Sequence, residues 1–174
     1  MSDQAEVRMT VRDAAEKDAK AVAGIYNHYI LNTTITFEEQ AITEAEMARR
    51  ISDVQSAGLP WLVVECAGEV VGYAYATKWR VRHAYRFSVE STVYLAPNVS
   101  GKGLGSALYI DLLTRLATDG YHLVIGGIAL PNQASIALHE KMGFEKVAQF
   151  REVGFKFDRW IDVGYWEKRL AKAR

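Results

Sequence analysis

Three glycines within five residues are the feature of the sequence with the clearest chemical meaning. Gly101, Gly103 and Gly105 follow a strand-like segment, rich in β-branched and aromatic residues, that is broken at Pro97. An amphipathic helical pattern begins at Leu104, and a helix N-terminus presents unpaired N–H groups and a positive dipole end that favour a phosphate. Because glycine has no Cβ, the backbone can approach such an anion closely. The spacing indicates a cradle for a diphosphate, and the alternative is a flexible strand-to-helix loop.

The spacing of these glycines excludes two well-known phosphate-binding loops. A P-loop requires Gly-x-x-x-x-Gly-Lys followed by Ser or Thr, and this pattern is absent from the sequence. A dinucleotide-binding loop requires Gly-x-Gly-x-x-Gly in an early βαβ unit, with an acidic residue about 20 positions further on. Here the pattern is Gly-x-Gly-x-Gly, and it lies beyond the middle of the chain.

The glycine loop resembles the acyl-CoA loop of the GCN5-related N-acetyltransferases, whose pattern is Gln/Arg-x-x-Gly-x-Gly/Ala. Gly103 and Gly105 match the two glycines, and Ser100 stands where glutamine or arginine is usual. That departure removes one side chain but none of the backbone N–H groups. Further motifs resemble the phosphinothricin acetyltransferases, a group that includes enzymes acting on methionine sulfoximine and related small amino acids. These motifs are Tyr26-Asn27-His28-Tyr29-Ile30, Thr36-Phe37, Glu90-Ser91-Thr92-Val93-Tyr94, Leu130-Pro131-Asn132, His139-Glu140 and Asp162-Val163-Gly164.

This resemblance implies an acetyl-CoA-dependent N-acetyltransferase that needs no metal and acetylates the α-amine of a small amino acid or amino-acid-like toxin. It leaves open which amino acid is preferred. Acetylation of protein N-termini and a non-catalytic acyl-CoA-binding module remain the alternatives. The implied acetyl-CoA contacts are Val93, Tyr94, Leu95, Gly101, Lys102, Gly103, Leu104, Gly105, Ser106, Asn132 and Ser135. The implied acceptor contacts are Phe37, Arg80, Val81, Arg82, Glu90, Ser91 and Thr92.

Acetyl transfer to an amine needs a base, donors for the developing oxyanion and a proton for the departing thiolate. The resemblance makes Glu90 the base, and the alternative is a surface carboxylate paired with Arg80 or Arg86. His139 stands where many family members carry a tyrosine that acts as the acid towards the CoA sulfur. A neutral imidazole there could hold Asn132 or a CoA group, or relay a proton. A helix-surface histidine without a role is the alternative.

Arg80 and Arg82 could hold the acid group of an acceptor. They are two residues apart, so in an extended chain both side chains point the same way. Paired guanidinium groups suit a carboxylate or phosphinate, and a solvated basic loop is the alternative. Phe37 resembles the aromatic residue that covers the substrate in the phosphinothricin group.

Composition narrows the possible partners and the cellular location. The chain has 174 residues, enough for one domain spanning 1–174, and its 21 acidic and 21 basic residues give a nucleic-acid partner no electrostatic support. No apolar run approaches the roughly 18 residues of a membrane helix, and the N-terminus lacks a secretion signal. The single cysteine, Cys66, fits the reducing cytoplasm. His28, His83 and His122 have no metal-ligand spacing. Members of the group look like homodimers, and residues 155–160 could complete a neighbour's site.

Hydrophobic periodicity predicts the elements that position these residues. Strands are expected at 7–11, 61–66, 70–79, 87–95, 122–130, 144–150 and 162–170. Helices are expected at 16–31, 43–58, 104–120 and 132–143. The pair Gly126-Gly127 indicates either a bulge or a close approach of the backbone. The predicted fold class is α/β (α+β): a mixed, mostly antiparallel sheet with helices on both faces, similar to the acyl-CoA N-acyltransferase fold.

Overall fold

A seven-stranded sheet forms the centre of the molecule. The computed structural model describes residues 9–99 and 101–171. The strands are β1 (Met9–Asp13), β2 (Trp61–Cys66), β3 (Glu69–Lys78), β4 (Ser88–Leu95), β5 (Leu123–Ala129), β6 (Glu145–Lys156) and β7 (Arg159–Arg169). They are arranged in the order β1-β2-β3-β4-β5-β7-β6, and every neighbouring pair is antiparallel except β4 and β5. The predicted mixed sheet is confirmed. The expected start of β1 at Val7 lies outside the described residues.

Four α-helices pack on the two faces of this sheet: α1 (Ala19–Asn32), α2 (Glu44–Ser56), α3 (Leu104–Thr118) and α4 (Gln133–Lys141). The predicted caps begin two of them. The hydroxyl of Thr43 accepts the N–H of Glu46 at 3.1 Å, and the side-chain oxygen of Asn132 accepts the N–H of Ser135 at 3.1 Å. Helix α3 instead follows Gly103, whose backbone is left-handed and whose position offers no capping side chain.

The sheet separates two hydrophobic clusters, and β2 contributes to both. Leu62 and Val64 pack with the leucine stripe of α3, while Trp61 and Val63 pack with α1 and α2. Because successive side chains of a strand point to opposite faces, a strand buried on both sides is apolar throughout. The four leucines of the α3 stripe, which are all buried, are Leu104, Leu108, Leu112 and Leu116.

The C-terminal hairpin is longer than its sequence pattern predicts. Strand β6 continues past residue 150 to Lys156, and β7 begins at Arg159 rather than at 162. Phe157 and Asp158 form the turn with φ angles of 52° and 54°, the left-handed region that two-residue hairpin turns require. A register shift between Phe150 and Gly154 interrupts the pairing. Because such an irregularity also interrupts the alternation of buried and exposed residues, periodicity alone ended the predicted strand too early.

Strands β4 and β5 remain paired for only three residues. Their partners are Ser88 with Leu123, Val89 with Val124 and Glu90 with Ile125. Beyond Glu90, β4 continues to Leu95 alongside β3, and β5 continues to Ala129 alongside β7. The two inner edges therefore separate and leave a gap within the sheet.

Truncating a leucine of the α3 stripe tests this account of the core. Leu108→Ala removes a fully buried side chain and leaves a cavity, so the free energy of unfolding should fall by about 2–5 kcal/mol. Ile110→Ala, on the exposed face of the same helix, should change it by no more than about 0.5–1 kcal/mol. Urea denaturation followed by circular dichroism measures both values. Equal losses would contradict the assignment of the buried face.

Candidate active site

A cavity of about 540 Å³ occupies the gap between β4 and β5. Its wall combines the diverging strands with α1, α4, β7 and the segment that follows α1. Residues lining it that are used below are Tyr26, Tyr29, Thr36, Phe37, Tyr75, Glu90, Ser91, Thr92, Val93, Tyr94, Leu95, Tyr109, Gly127, Asn132, Ser135, His139 and Tyr165. The separation of two strands has thus brought most of the sequence-predicted residues to one place.

The backbone of β4 offers polar groups to this gap. The N–H of Ala96 donates to the carbonyl of Val71, and the carbonyl of Ser88 accepts the N–H of Trp79, so the even-numbered residues of β4 direct their backbone groups towards β3. The backbone groups of Ser91, Val93 and Leu95 therefore face the opposite way, into the gap. This is the arrangement that the predicted contacts of Val93 and Leu95 with pantetheine require. The carbonyl of Leu95 also accepts the hydroxyl of Tyr29 at 2.6 Å.

The glycine loop presents the start of α3 without steric obstruction. Gly101 and Gly103 have φ angles of 82° and 74°, and a Cβ at either position would point into open space. The first backbone bond of the helix runs from the N–H of Ala107 to the carbonyl of Gly103. The N–H groups of Leu104, Gly105 and Ser106 therefore have no partner within the helix, and the positive end of its dipole lies beside them. These features fit a diphosphate. Lys102 is exposed beside them, and Ser100 lies outside the described residues.

Gly105 has a different role from the other two glycines. A Cβ at this position would lie 2.9 Å from the Cδ2 atom of Leu138 on α4. Its lack of a side chain therefore permits the contact between α3 and α4, whereas the sequence analysis explained it by the approach of an anion. Its free N–H group remains at the helix N-terminus.

Glu90 lies at the point where the gap opens, and its carboxylate is partly buried. A Cβ at Gly127 would lie 3.4 Å from the Oε1 atom of Glu90 and 3.2 Å from the Tyr165 ring, so this glycine makes room for the carboxylate. The pair Gly126-Gly127 thus marks a close approach and not a bulge, since the pairing of β5 with β7 is regular. Burial raises the pKa of Glu90, and the charge of Arg80 opposes this shift. Within the described residues Glu90 forms no ion pair, so the surface-pair alternative is wrong.

His139 is buried in a chain of neutral hydrogen bonds. Its Nδ1 lies 2.7 Å from the carbonyl oxygen of Ser135, which only accepts, so Nδ1 carries a proton. In the neutral ring Nε2 then accepts the hydroxyl of Tyr109 at 2.8 Å, and Tyr109 accepts the hydroxyl of Ser91 at 3.1 Å. Burial lowers the pKa of His139, which favours this neutral form. The chain joins β4, α3 and α4 on one side of the gap.

This hydrogen-bond chain bears on the predictions for His139 and for Ser91. His139 is almost completely buried, so the surface-histidine alternative is wrong, and its ring is bonded to Ser135 and Tyr109 but not to Asn132. Both ring nitrogens are engaged, so a direct proton transfer from His139 to the CoA sulfur would require the chain to break. The side chain of Ser91, predicted with the acceptor group, faces the opposite side of β4 from Glu90.

The segment with the two arginines is bent at Val81 and Arg82, so the extended chain in which both side chains would point the same way is not present. Strand β3 ends at Lys78, and a short 3₁₀ helix begins at His83. The Arg80 guanidinium lies 4.7 Å from the centre of the Trp79 ring, and the Val81 side chain is 99% exposed. Arg80, Val81 and Arg82 do not line the cavity of this chain. Of these three residues, Arg80 is the one whose charge affects the pKa of Glu90.

One wall of the cavity, called the acceptor side below, is rich in tyrosines, of which the sequence analysis assigned a role only to Tyr94, as an acetyl-CoA contact. They come from α1, β3, β4 and β7 and are Tyr26, Tyr29, Tyr75, Tyr94 and Tyr165. The hydroxyl of Tyr26 is bonded to that of Thr36 at 2.8 Å. Phe37 lies in the same wall, beside Thr36, and its role in covering the substrate stays a prediction. The sequence does carry one signal for these residues, because tyrosine and not phenylalanine occupies each position. A buried tyrosine hydroxyl needs a polar partner, so such a cluster indicates a polar site.

Two further observations complete the description of the site and its surroundings. Across residues 9–99 and 101–171 there is no group of three or more His, Cys, Asp or Glu side chains that could hold a metal ion. The helices in the same part of the chain are too short or too polar to cross a membrane.

Comparison with known proteins identifies the class. The family model for the acetyltransferase (GNAT) domain matches residues 11–164. The chain is 37% identical over 162 residues to the L-methionine sulfoximine/L-methionine sulfone acetyltransferase of Salmonella typhimurium. The aligned region covers 93% of this chain and 95% of that protein. The chain belongs to the GNAT acetyltransferase family.

Solved structures agree with this assignment. A GNAT superfamily phosphinothricin acetyltransferase from Sinorhizobium meliloti, in complex with acetyl-CoA, has a TM-score of 0.90 and 40% identity, covering 94% of this chain and 89% of that chain. The ribosomal-protein-alanine N-acetyltransferase of Brucella melitensis has a TM-score of 0.90 and 36% identity, and the match covers 92% of this chain and 99% of that chain. The predicted family, enzyme class and acetyl-CoA co-substrate are confirmed.

Removing the Tyr109 hydroxyl tests the hydrogen-bond chain. Tyr109→Phe leaves the Nε2 of His139 and the hydroxyl of Ser91 without this partner in a buried place, so the free energy of unfolding should fall by about 1–3 kcal/mol. Tyr85→Phe makes the same chemical change at an exposed tyrosine and should have an effect within about 0.5 kcal/mol. Denaturant titration measures both. If the two variants are equally stable, Tyr109 does not support the chain.

Proposed function

We propose that this enzyme transfers the acetyl group of acetyl-CoA to the α-amine of a small amino acid or analogue of the phosphinothricin or methionine sulfoximine type. The observation that carries this proposal is the partly buried carboxylate of Glu90 at the opening of the gap. Relatives whose names include these acceptors support the choice of substrate class. Acetyl-CoA is an intracellular metabolite, so the same proposal assigns the enzyme to the cytoplasm.

Glu90 acts in this proposal as the general base. An α-ammonium group has a pKa of about 8, so at neutral pH most of the acceptor is protonated and not nucleophilic. A carboxylate whose pKa is raised by burial is a stronger base than an exposed one, and it is closer to the operating pH. Glu90 and the acceptor-side tyrosines line one cavity, so the base and the amine can meet there.

The other side of the gap holds acetyl-CoA, which supplies the activated acetyl thioester. We assign the diphosphate to the free N–H groups of Leu104, Gly105 and Ser106, and the pantetheine to the backbone groups of Val93 and Leu95. Asn132 accepts a bond from its own helix through its side-chain oxygen, which leaves its amide N–H groups free to donate to pantetheine.

The acceptor's acid group is assigned to Arg80. Arg80 lies outside the cavity lining, but it is the arginine whose charge acts on Glu90, and this supports the assignment. A guanidinium group binds a carboxylate through two parallel hydrogen bonds and thereby orients the amine. The structural likeness to a ribosomal-protein-alanine N-acetyltransferase supports a second candidate, in which the acceptor is a peptide N-terminus without a free α-carboxylate.

A thiol-release assay tests the proposal and separates the two candidates. We expect acetyl-CoA turnover with phosphinothricin, methionine sulfoximine, methionine sulfone or another free amino acid, and much less with the α-amide of the same compound. The loss of one charge-assisted contact corresponds to about 1.5–3 kcal/mol, or roughly ten- to a hundredfold in kcat/KM. Equal use of acid and amide, or a preference for short peptides, would select the peptide candidate.

Replacing Glu90 tests the base. Glu90→Gln keeps the shape and removes the basicity, so we expect kcat to fall by about 10²–10⁴ while the affinity for CoA is unchanged. In the parent enzyme kcat/KM should rise with pH as Glu90 loses its proton. Because burial raises the pKa of Glu90, this rise should occur at a higher pH than it would for an exposed glutamate. The deficit of the variant should shrink at high pH, where the amine is already neutral. Near-normal turnover at pH 7 would exclude Glu90 as the base.

A homodimer is the second part of the proposal. Strand β6 is an edge of the sheet. Of the thirteen exposed large apolar residues in the described part of the chain, six lie on the hairpin of β6 and β7: Val147, Phe150, Val153, Phe155, Phe157 and Trp160. An exposed apolar edge is a preferred place for association. A two-fold axis brings the same patch of each copy together, so an apolar patch is complementary to itself.

Removing two aromatic side chains tests the dimer. The Phe155 and Trp160 rings pack 4.8 Å apart on this surface, and the variant Phe155→Ser/Trp160→Ser should be monomeric in light scattering at micromolar concentration. Met9→Ser removes an exposed apolar side chain on β1, the opposite edge of the sheet, and should leave the dimer intact. A monomeric parent protein would refute this part of the proposal.

A further inference from the structure

The end of β6 has two buried positions that the proposed chemistry does not use. Gly154 and Lys156 are buried, whereas Val153, Phe155 and Phe157 beside them are exposed. Since side chains alternate along a strand, 154 and 156 both point towards the molecule. A lysine at such a position is unusual, because burying its amine is costly unless hydrogen bonds compensate.

Lys156 bonds to both ends of a short loop. Its side chain is 1% exposed, and its Nζ donates to the carbonyl of Ile30 at 2.7 Å and to the carbonyl of Thr36 at 2.8 Å. Ile30 lies in the last turn of α1, where carbonyls lack helical partners and the dipole favours a cation. One side chain thereby closes the loop that leads from α1 to Thr36.

Gly154 contacts Phe37, the residue that follows Thr36 in the chain. A Cβ at this position would overlap the ring of Phe37, so the ring packs directly on the backbone of β6. Phe37 and Thr36 line the cavity, and the hydroxyl of Thr36 is also bonded to Tyr26. The two inward positions of β6 therefore hold the two neighbouring residues of the cavity wall.

We propose that Lys156 is a positioning residue for the acceptor: it fixes the loop from Ile30 to Thr36 so that Thr36 and Phe37 form the wall that limits the acceptor's side chain. This inference rests on the proposed acetylation of small amino acids. It assigns the control of acceptor size to a strand that lies outside the catalytic gap. We expect acetyl-CoA binding not to depend on Lys156, because its hydrogen bonds go to Ile30 and Thr36 and not to the start of α3 or the edge of β4.

The test compares steady-state constants of the parent enzyme and Lys156→Met, which keeps the length of the side chain and removes its N–H groups. We expect KM for the acceptor to rise by about tenfold or more, and kcat and the affinity for CoA to change by less than about threefold. The preference for small over large amino acids should weaken. Gly154→Ala displaces Phe37 and leaves the Lys156 side chain in place. It should also raise the KM for the acceptor and weaken the preference for small amino acids.

Two further variants separate positioning from general stability. Lys156→Arg keeps a donor at this place and should recover part of the acceptor KM. Leu112→Ala destabilises the fold through the α3 core and should leave the acceptor KM of the folded enzyme unchanged. If Lys156→Met leaves the acceptor KM and size preference as in the parent, or only matches the effect of Leu112→Ala, the inference is refuted.

Hydrogen exchange gives a readout that does not depend on activity. In Lys156→Met the amides of residues 33–38 should exchange at least about tenfold faster than in the parent, while those of α3 remain protected. Unchanged exchange at 33–38 would refute the inference. If the parent enzyme acetylates no amino acid in the panel, the proposed function fails, and the exchange result still decides whether Lys156 holds the loop.

Discussion

The separation of β4 and β5 after Glu90 and Ile125 is the constraint on which the rest of the site depends. Each strand stays paired on its outer side, so the sheet holds together while the two inner edges are left without a strand partner. Unpaired backbone groups are normally costly and are covered or paired. Here they face a cavity, and the loop that leaves β4 leads directly into the free N-terminus of α3. A single departure from regular pairing thus places a pocket and a row of backbone donors and acceptors next to the free N–H groups to which we assign the diphosphate.

The two faces of β4 divide the polar residues of the gap into different chemical environments. Glu90 is the acidic group on one face, where burial raises its pKa and Gly127 leaves room for it. On the other face the polar groups form a chain that runs from Ser91 through Tyr109 and His139 to Ser135, and every member of it is neutral at neutral pH. Burial lowers the pKa of His139 and directed bonds hold its ring, so that side stays uncharged, which supports the proposal that Glu90 takes the proton.

The C-terminal hairpin joins features that are far apart in the chain. Its outer side carries the exposed aromatic surface, and its inner side carries Gly154 and Lys156, which hold the loop before Phe37. Residues separated by more than a hundred positions thereby become neighbours. The same strand can therefore contribute to association of two copies and to the shape of the acceptor wall, since alternate side chains point to opposite sides.

The sequence by itself determined the architecture and the nature of the co-substrate. The leucine stripe of α3, the caps at Thr43 and Asn132 and the glycine loop are local patterns, and local patterns are visible in sequence because they depend on neighbours along the chain. Only the tertiary structure decided which side chains meet. In the tertiary structure His139 is hydrogen-bonded to Tyr109, Gly105 permits the contact with Leu138, the chain bends at Val81 and Arg82, and Lys156 is buried against Thr36. Each of these depends on a partner far away in sequence or on an irregularity of the backbone, and periodicity carries no information about either.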